Sequence, residues 1–569
     1  MHKKSIPIIA VVLFSFAVYL NSLSNGFVYD NHFMIENNPW IKDIKHLPDI
    51  FTKDMWAFMG KSNYYRPIPH LSNMAVYHVF GPDPFGFHLF YLSVHAANAA
   101  IVYLIASMLI ARPAPFAPLA AALLFAAHPV NTESVLESYA EPCFAFFFLL
   151  SVYSYMRATS GDRPSKAGYA LSVFSFFLAM LSKETAIILP FMLMAYDLIK
   201  KAPPVPRTGF NVRLKRYMPY LVAAFFYFAI RLSAIGGFAP VSVYPALTGY
   251  KYAVNVLVHF AMYLEKLILP VGLNAYYEVR PVEFLTGIKA VASFVAALMF
   301  SAALYLSWRK NRAFFFCLLL IAVPLFPAFY LIRNPVDEYN TFAERYLYLP
   351  SAGFAVALAM SLSWAYFAFK PAFGKALGAA FLVLIAAYSA GTVSRNTVWK
   401  DDITLWSDTV RKSPAIALPR VNLGAAYKNK GLTDKAEEQY LTAIRLTPRL
   451  PTAHFNLANT YISKGLTDKA IAEYNAAIRL KPEYAEAHNN LGRAYMLKGQ
   501  TEDAAAQFTA AVKIYPGYAD AHFNLGFIYL KKGLLDEAKT EFETVLRLNP
   551  GDSSVSELLR QIAENRRGS

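Results

Sequence analysis

Charge is scarce in this chain. Only 16% of its 569 residues are Asp, Glu, Lys or Arg, against ~25% in soluble globular proteins. With 56% hydrophobic residues, that excludes a wholly soluble protein. Cysteine is nearly absent: Cys143 and Cys317 are the two, both in apolar segments, and neither has the spacing of a zinc site or a redox pair. The soluble-enzyme phosphate loop, Gly-x-x-x-x-Gly-Lys, is missing, which argues against nucleotide binding in that mode. So are Asp-x-Asp and His-x-x-x-His pairs. No basic stripe carries interleaved aromatics, so the net charge of +16 reads as Lys and Arg of cytoplasmic loops, with no nucleic acid as partner.

What is present falls into two regimes. Residues 1–392 are dominated by apolar runs, and residues 415–569 have the composition of a charged helical domain. Apolar segments fall near 6–22, 88–111, 115–127, 134–156, 167–182, 184–200, 217–233, 252–270, 284–307, 313–332, 345–369 and 373–391; a span needs ~20 residues. The run after Met1-His-Lys-Lys lacks a small-residue cleavage site and is read as a retained first helix. Basic loops at Arg157–Lys166, Lys200–Arg216, Trp308–Arg312 and Lys370–Lys375 set the cytoplasmic side. Residues 23–65, 128–141, 333–344 and everything after the last span then face outward. Parity requires 252–270 to be re-entrant or to lie along the outer surface, unless a crossing hides between Leu232 and Lys251. The expected count is about 11 crossings.

Ionisable residues at a membrane boundary are functional candidates because burying them is costly. The first outer loop reads Gly26-Phe-Val-Tyr-Asp30-Asn-His32. An acid just past the first helix has the position of a general base; a helix cap or a solvated acid is the bland alternative. The second outer stretch reads His128-Pro-Val-Asn-Thr-Glu133-Ser-Val-Leu-Glu137 and continues to Glu141. Glu133 and Glu137, four apart, share a helix face. With Asp30 these oxygens could bind a divalent cation, though no spacing identifies a metal, and no cofactor is specified. Arg66, Lys183 and Arg345 each sit where a helix meets the outer surface. Arg grips phosphate oxygens bidentately and Lys is a compact charge, so together they suggest a pocket for an anionic lipid head group. Singly, each could snorkel or pair with its neighbour, as in Lys183–Glu184 or Glu344–Arg345.

The C-terminal regime repeats at a step of 34 residues: Asn422-Leu-Gly-Ala-Ala-Tyr427, Asn456-Leu-Ala-Asn-Thr-Tyr461, Asn490-Leu-Gly-Arg-Ala-Tyr495 and Asn524-Leu-Gly-Phe-Ile-Tyr529, with Gly431, Gly465, Gly499 and Gly533 in phase. This is the tetratricopeptide signature of paired helices. Residues 401–412 read as the second helix of a partial leading repeat, and Ser553–Arg566 as a capping helix. Asn422, Asn456, Asn490 and Asn524 recur at one position of the first helix. A ladder of amides that both donate and accept suits an extended polypeptide backbone, although Asn is also common at this position of the repeat.

Taken in order, Gly26-Phe-Val-Tyr-Asp30, Tyr65-Arg-Pro67, His128-Pro-Val-Asn-Thr-Glu133-Ser-Val, Leu181-Ser-Lys-Glu184 with Pro190, Leu269-Pro270 and Glu344-Arg-Tyr-Leu-Tyr-Leu-Pro350 carry a resemblance over nearly the whole chain. The chain resembles the GT-C superfamily of polyprenyl- or dolichyl-phosphate-sugar-dependent glycosyltransferases, and is most similar to the transmembrane-and-tetratricopeptide-repeat O-mannosyltransferases and their bacterial relatives. The resemblance implies an inverting transfer from a lipid-phosphate sugar to an acceptor hydroxyl outside the cytoplasm. Asp30 matches the acid of the first outer loop and would deprotonate the acceptor. Arg345, Lys183 and Arg66 would hold the leaving lipid phosphate. His128, Glu133 and Glu141 match a second outer motif that shapes the pocket or holds a metal. The family often pairs two acids in the first loop; here Asp30 is followed by Asn31, which puts a two-carboxylate metal site there in doubt.

The expectation is an all-α protein: a polytopic transmembrane GT-C domain over 1–392, a connector and partial repeat over 393–414, and a tetratricopeptide α-solenoid over 415–569. The expected function is transfer of a hexose such as mannose from a polyprenyl-phosphate donor to a Ser/Thr hydroxyl of an exported protein held in the repeat groove. The partners are the lipid-linked sugar, the acceptor polypeptide and membrane lipids. The expected setting is a bacterial inner membrane with the site and repeats outside. Rival readings are transfer to a glycan or lipid acceptor with the repeats recruiting other proteins, and a non-enzymatic membrane scaffold. A transporter would need paired broken helices or an internal membrane repeat, and neither is visible.

Overall fold

The computed structural model describes residues 2–58, 62, 64–110, 116–137, 140–160, 165–199, 215–236, 247, 249–283, 287–333, 341–369 and 371–568. Every regular element among them is helical. The chain divides into two units, Met1–Asp408 and Thr409–Ser569.

In the first unit, seven helices are long and apolar enough to cross a membrane: Ser5–Ser22, Pro84–Leu109, Met218–Ile235, Ile288–Lys310, Arg312–Phe329, Glu344–Ala368 and Gly374–Val398. With no water in the hydrocarbon layer, a helix satisfies its own backbone groups. Pro84–Leu109, Arg312–Phe329 and Glu344–Ala368 have half or more of their apolar window buried, whereas the other four have 17–28%; the first three form the centre and the others the rim. Rim side chains such as Phe225, Phe226, Leu298 and Met299 are exposed, as a lipid-facing surface requires. Polar bonds tie inner helices together. Ser151 and Ser172 bond reciprocally, each Oγ to the other's carbonyl at 2.7 Å, and the Tyr348 hydroxyl meets His95 Nδ1 at 2.7 Å and Asn98 Nδ2 at 3.1 Å.

The expected count of about 11 crossings is not reached by the described helices. Ala117–Ala127 and Leu189–Ile199 have 11 residues each, about 16 Å of helix, too short to span alone. Segment 252–270 forms the helix Gly249–Ile268. It buries Val254, Asn255, Val258, His259, Tyr263 and Leu267, a single stripe, and carries Lys251, Glu265 and Lys266. That one-sided pattern suits a helix lying along a surface. The basic run Lys200–Arg213, most of 333–344, expected to face outward, and the candidate crossing before Lys251 lie outside the described residues.

The second unit contains four helix pairs, from Ala417–Asn429 with Thr433–Leu446 to Ala519–Lys531 with Leu535–Leu548, followed by the helix Ser553–Gly568. Each pair turns on a glycine with φ of +72 to +75°, in the left-handed region a side chain resists. The Gly431 N–H reaches Lys428 O and the Leu432 N–H reaches Tyr427 O, both at 2.9 Å, which satisfies the helix's last carbonyls. Ala436, Ala470, Ala504 and Ala538 are fully buried between helices. Gly424 faces Tyr440 so closely that a Cβ would meet its ring at 2.6 Å. A second periodic device is a polar staple. His454 and His488 bond Glu473 and Gln507 on the second helix through Nδ1, at 2.6 and 2.7 Å, and the carbonyls of Pro448 and Pro482 through Nε2. Arg420 does the same job in the first repeat, bonding Gln439 and the Pro414 carbonyl at 3.2 Å. Val555 and Ile562 of the last helix bury against Ala538 and Phe542, capping that end.

Candidate active site

The loop after the first helix is pinned by residues 370–374 positions away. Asn25 Nδ2 donates to the carbonyls of Asn396 and Trp399 at 2.9 and 3.1 Å. The Gly26 N–H donates to Lys400 O at 2.9 Å, and the Tyr29 N–H to Asp402 Oδ1 at 3.1 Å. The Tyr29 ring stands edge-on to Trp406, with centroids 5.0 Å apart. His32 Nε2 meets Asp402 Oδ2 at 2.6 Å and its Nδ1 meets Glu36. The Asp402 bond and that to Glu36 push the imidazole up to about 9 against the opposing effect of burial. Among the described residues Tyr29 is the one non-glycine with positive φ, at 54°. A bulky residue in that region costs energy and persists only where the surroundings over-determine it. It is the residue that aims Asp30.

Asp30 is half-buried. Burial raises its pKa, and Arg345 and a hydrogen bond with Glu137 pull it down. Glu133 sits on the short helix Asn131–Leu136, and Arg345 Nη1 donates to its Oε1 at 3.0 Å. Burial pushes Glu133 up to about 7 despite Arg345. The other two basic candidates are also paired. Lys183 Nζ lies 2.5 Å from Glu141 Oε1. Arg66 grips Glu184 bidentately, at 2.9 and 3.2 Å. Tyr346 joins the set, its ring centroid 4.6 Å from Lys183 Nζ and 5.9 Å from the Arg345 guanidinium; Tyr64 lies 4.7 Å from Arg66. A fourth pair, Arg395 Nη2 to Glu344 Oε2 at 2.8 Å, closes the neighbouring wall.

The structure therefore brings Asp30, Glu133, Glu141, Arg345, Lys183 and Arg66 into one contiguous cluster. It places His128 elsewhere: the ring is buried, with Nε2 donating to Leu267 O at 2.9 Å and Nδ1 receiving the Val130 N–H. The sequence-neighbour pairings do not form. Lys183 is extended (φ −160°, ψ 129°), so consecutive side chains diverge, and Lys183 and Glu184 find Glu141 and Arg66 instead. Glu344 and Arg345 likewise part, to Arg395 and Glu133. Exposure separates the cations: the Arg345 side chain is 30% exposed, Arg66 15% and Lys183 6%. Arg345 is the one best able to meet an incoming anion. No group of three or more His, Cys, Asp or Glu among the described residues has the geometry of a metal site. Sequence reading did not single out Glu184, Tyr346, Arg395 or Asp402 as site residues. The first two lie beside motif residues, but nothing local marks the last two. A separate open cavity of about 580 Å³, lined by Leu20, Leu23, Asn25, Gly26, Asp83, Pro84 and Phe85 among others, contains none of the cluster's acids and bases.

In the repeats, Asn422, Asn456, Asn490 and Asn524 are all half-buried on first helices. First helices of successive repeats pack together more closely than second helices do, which puts them on the inner, concave side. Asn490 Nδ2 donates to Asn459 Oδ1 and Asn524 Nδ2 to Asn489 Oδ1, both at 2.9 Å, so part of the ladder's amide capacity ties repeat to repeat.

Known proteins are similar to most of this chain. Residues 424–465 and 458–499 match the family described as TPR repeat, and 495–562 match Tetratricopeptide repeat. Protein O-mannosyl-transferase F38B6.6 of Caenorhabditis elegans is 26% identical over 457 residues, covering 77% of this chain and 62% of that protein. Protein O-mannosyl-transferase TMTC3 of Homo sapiens is 26% identical over 470 residues, covering 75% of this chain and 50% of that one. The chain resembles the protein O-mannosyl-transferases. The similarity takes in far more than the repeats, and it upholds the resemblance read from the motifs. The chain spans about half to three fifths of the length of these relatives. Among solved structures, the crystal structure of MamA is 26% identical, covering 27% of this chain and 89% of that chain, with a TM-score of 0.25. This is a membrane protein related to glycosyltransferases, with tetratricopeptide repeats that suit a peptide or protein partner.

Proposed function

We propose that this protein is an integral-membrane inverting glycosyltransferase. It moves a hexose such as mannose from a polyprenyl-phosphate donor to a Ser/Thr hydroxyl of an exported protein, with the cluster and the repeats on the outer, periplasmic side of a bacterial inner membrane. Asp30 takes the proton from the acceptor O–H. The freed oxygen forms the bond to the sugar's anomeric carbon from the face opposite the phosphate. The bond from that carbon to the phosphate oxygen breaks, and its electron pair leaves with the polyprenyl phosphate. Arg345, with Lys183 and Arg66 behind it, stabilises the charge gathering on the phosphate. Fixed charges aimed at a developing anion are usually the main source of an enzyme's rate enhancement. Glu133 and Glu141 hold those cations in place. The repeat groove, through Asn422, Asn456, Asn490 and Asn524, presents the polypeptide.

The observation that carries this reading is Asp30, aimed by a strained Tyr29 at a half-buried boundary beside Arg345. A carboxylate raised by burial is a better base at neutral pH than a solvated one. The test is intact-mass proteomics of envelope proteins from cells with the wild-type protein, without it, or with Asp30→Asn. Hexose-sized additions present only with the wild type support the reading, with a loss on the order of 10²–10⁴ in transfer rate for Asp30→Asn. Identical masses in all three strains refute a protein acceptor.

A further inference from the structure

We propose that the hydroxyls of Tyr64 and Tyr346 bind phosphate oxygens of the lipid donor, beside Arg66, Lys183 and Arg345. This rests on the reading of those three cations as the phosphate site.

The two rings are anchored in different cores and meet the same cluster. Tyr64 packs against the apolar core around Trp40, Ile50 and Phe87, and its carbonyl receives the Met55 N–H at 2.7 Å. Tyr346 packs against the core around Tyr263, Leu267 and Phe342. A continuous chain of contacts joins them. The Tyr64 ring lies 4.7 Å from the Arg66 guanidinium, and Arg66 grips Glu184, the neighbour of Lys183 in sequence. Tyr346 closes the chain, with its ring 4.6 Å from Lys183 Nζ and 5.9 Å from the Arg345 guanidinium. Each ring is held against a cation by attraction between the charge and the ring face. Its hydroxyl therefore stands at the margin of that cation, where an anion bound to the cation can reach it.

Both hydroxyls are uncommitted. Tyr64 and Tyr346 are half-buried. Neither hydroxyl finds a hydrogen-bond partner among the described residues, and neither oxygen is sealed from solvent. Nearby tyrosines spend theirs inside the protein: Tyr65 on Phe51 O at 2.8 Å, Tyr277 on Glu344 Oε1 at 2.6 Å, and Tyr348 on His95 and Asn98. A phenol O–H left open beside a cation is a donor awaiting an acceptor.

The cations need that help. Arg66, Lys183 and Arg345 each already hold a carboxylate, at 2.9, 2.5 and 3.0 Å, so part of their charge and donor capacity is spent. Tyr64 and Tyr346 add two donors that no carboxylate occupies. The donor's phosphodiester carries a single negative charge, and the monoester released carries a second. Hydrogen bonds strengthen as the acceptor ionises, so these hydroxyls favour the transition state over the bound donor. Both stay protonated throughout.

The test titrates the full chain in detergent with farnesyl phosphate and with farnesol, which lacks the phosphate. Wild type is compared with Tyr64→Phe, Tyr346→Phe and the double variant. Phe keeps the ring on its cation and removes only the hydroxyl. Wild type should prefer farnesyl phosphate. Each single variant should bind it about 10-fold more weakly or worse, with farnesol binding unchanged. A purely structural role would weaken both ligands together, and that result overturns the proposal. So does unchanged farnesyl phosphate binding in the double variant; if polyprenyl-phosphate mannose then binds it more weakly than wild type, the hydroxyls meet the sugar instead. A wild type that does not distinguish farnesyl phosphate from farnesol refutes the phosphate site itself, a failure separate from that of the tyrosines.

Discussion

The Lys183–Glu141 pair separates two roles that one substitution would confound. The pair is 2.5 Å long and its side chains are 6% and 4% exposed. Removing either partner strands a buried charge, a cost of about 3–5 kcal/mol. The Tyr346 ring, 4.6 Å from the ammonium, offsets about 0.5–2 kcal/mol of that for a stranded Lys183, so Glu141→Gln should be the milder single change. Lys183→Met leaves Glu141 with Arg66 and Arg345 as distant counter-charges. The double variant Lys183→Met with Glu141→Gln has no stranded charge and should be more stable than Lys183→Met alone, with a coupling on the order of 2–3 kcal/mol. The assay is the fraction of monodisperse protein surviving graded heating in detergent, with transfer activity measured on the survivors. The double variant should recover stability and still transfer poorly, because the phosphate loses Lys183. Singles that melt within about 0.5 kcal/mol of wild type, or an additive double, would refute the buried-pair argument. A double variant with restored activity would remove Lys183 from the phosphate site.

Two further outcomes follow from the geometry. His32 is raised to about 9 by Asp402 and Glu36, above its unfolded value of ~6.5. Its contribution to holding the first loop is complete below ~6.5 and is lost as pH rises through about 9. Protease cleavage of the loop in full-length protein should therefore increase between pH 7 and 10, and His32→Gln should be cleaved readily and with no such pH dependence. Gly465 sits at φ +72° with nothing within 4 Å of a Cβ, so Gly465→Ala should destabilise the repeats by roughly 1–2 kcal/mol through backbone strain alone; an unchanged unfolding transition in denaturant would contradict that.

How far the sequence discloses this molecule depends on whether the information is local. The repeats are legible because each glycine, alanine and aromatic acts within 34 residues on its own helix pair. The long apolar helices are legible because lipid reads only composition and length. Pairing in the cluster is not, because Arg345 meets Glu133 212 residues away and Lys183 meets Glu141 42 away. The adjacent residues that sequence offers as partners point apart, Lys183 and Glu184 where the backbone is extended at Lys183, and Glu344 and Arg345 within the 3-10 turn Glu344–Leu347. The count of about 11 crossings is not confirmed by the seven spanning helices among the described residues, because eleven-residue helices such as Ala117–Ala127 read as apolar as a true span. Asp402 and Trp406 read as part of a leading repeat, and only the fold reveals that they brace Tyr29 and His32. Asp30 itself stands out from position, but its carboxyl neighbour Glu137 is recognised as such only once Asn31 is seen holding Leu136.

The loop's dependence on residues 396–402 also has a consequence for biosynthesis. The residues that receive the hydrogen bonds of the Asp30-bearing segment come 371–374 positions after it and leave the ribosome correspondingly later. At roughly 5–20 residues per second, that gap is on the order of 20–75 s. Through that interval the helices between them insert with the loop unbraced. The cluster is therefore completed late in translation, and a ribosome-bound chain ending before Asn396 carries every acid and base of the Asp30 pocket but not the clasp that aims them.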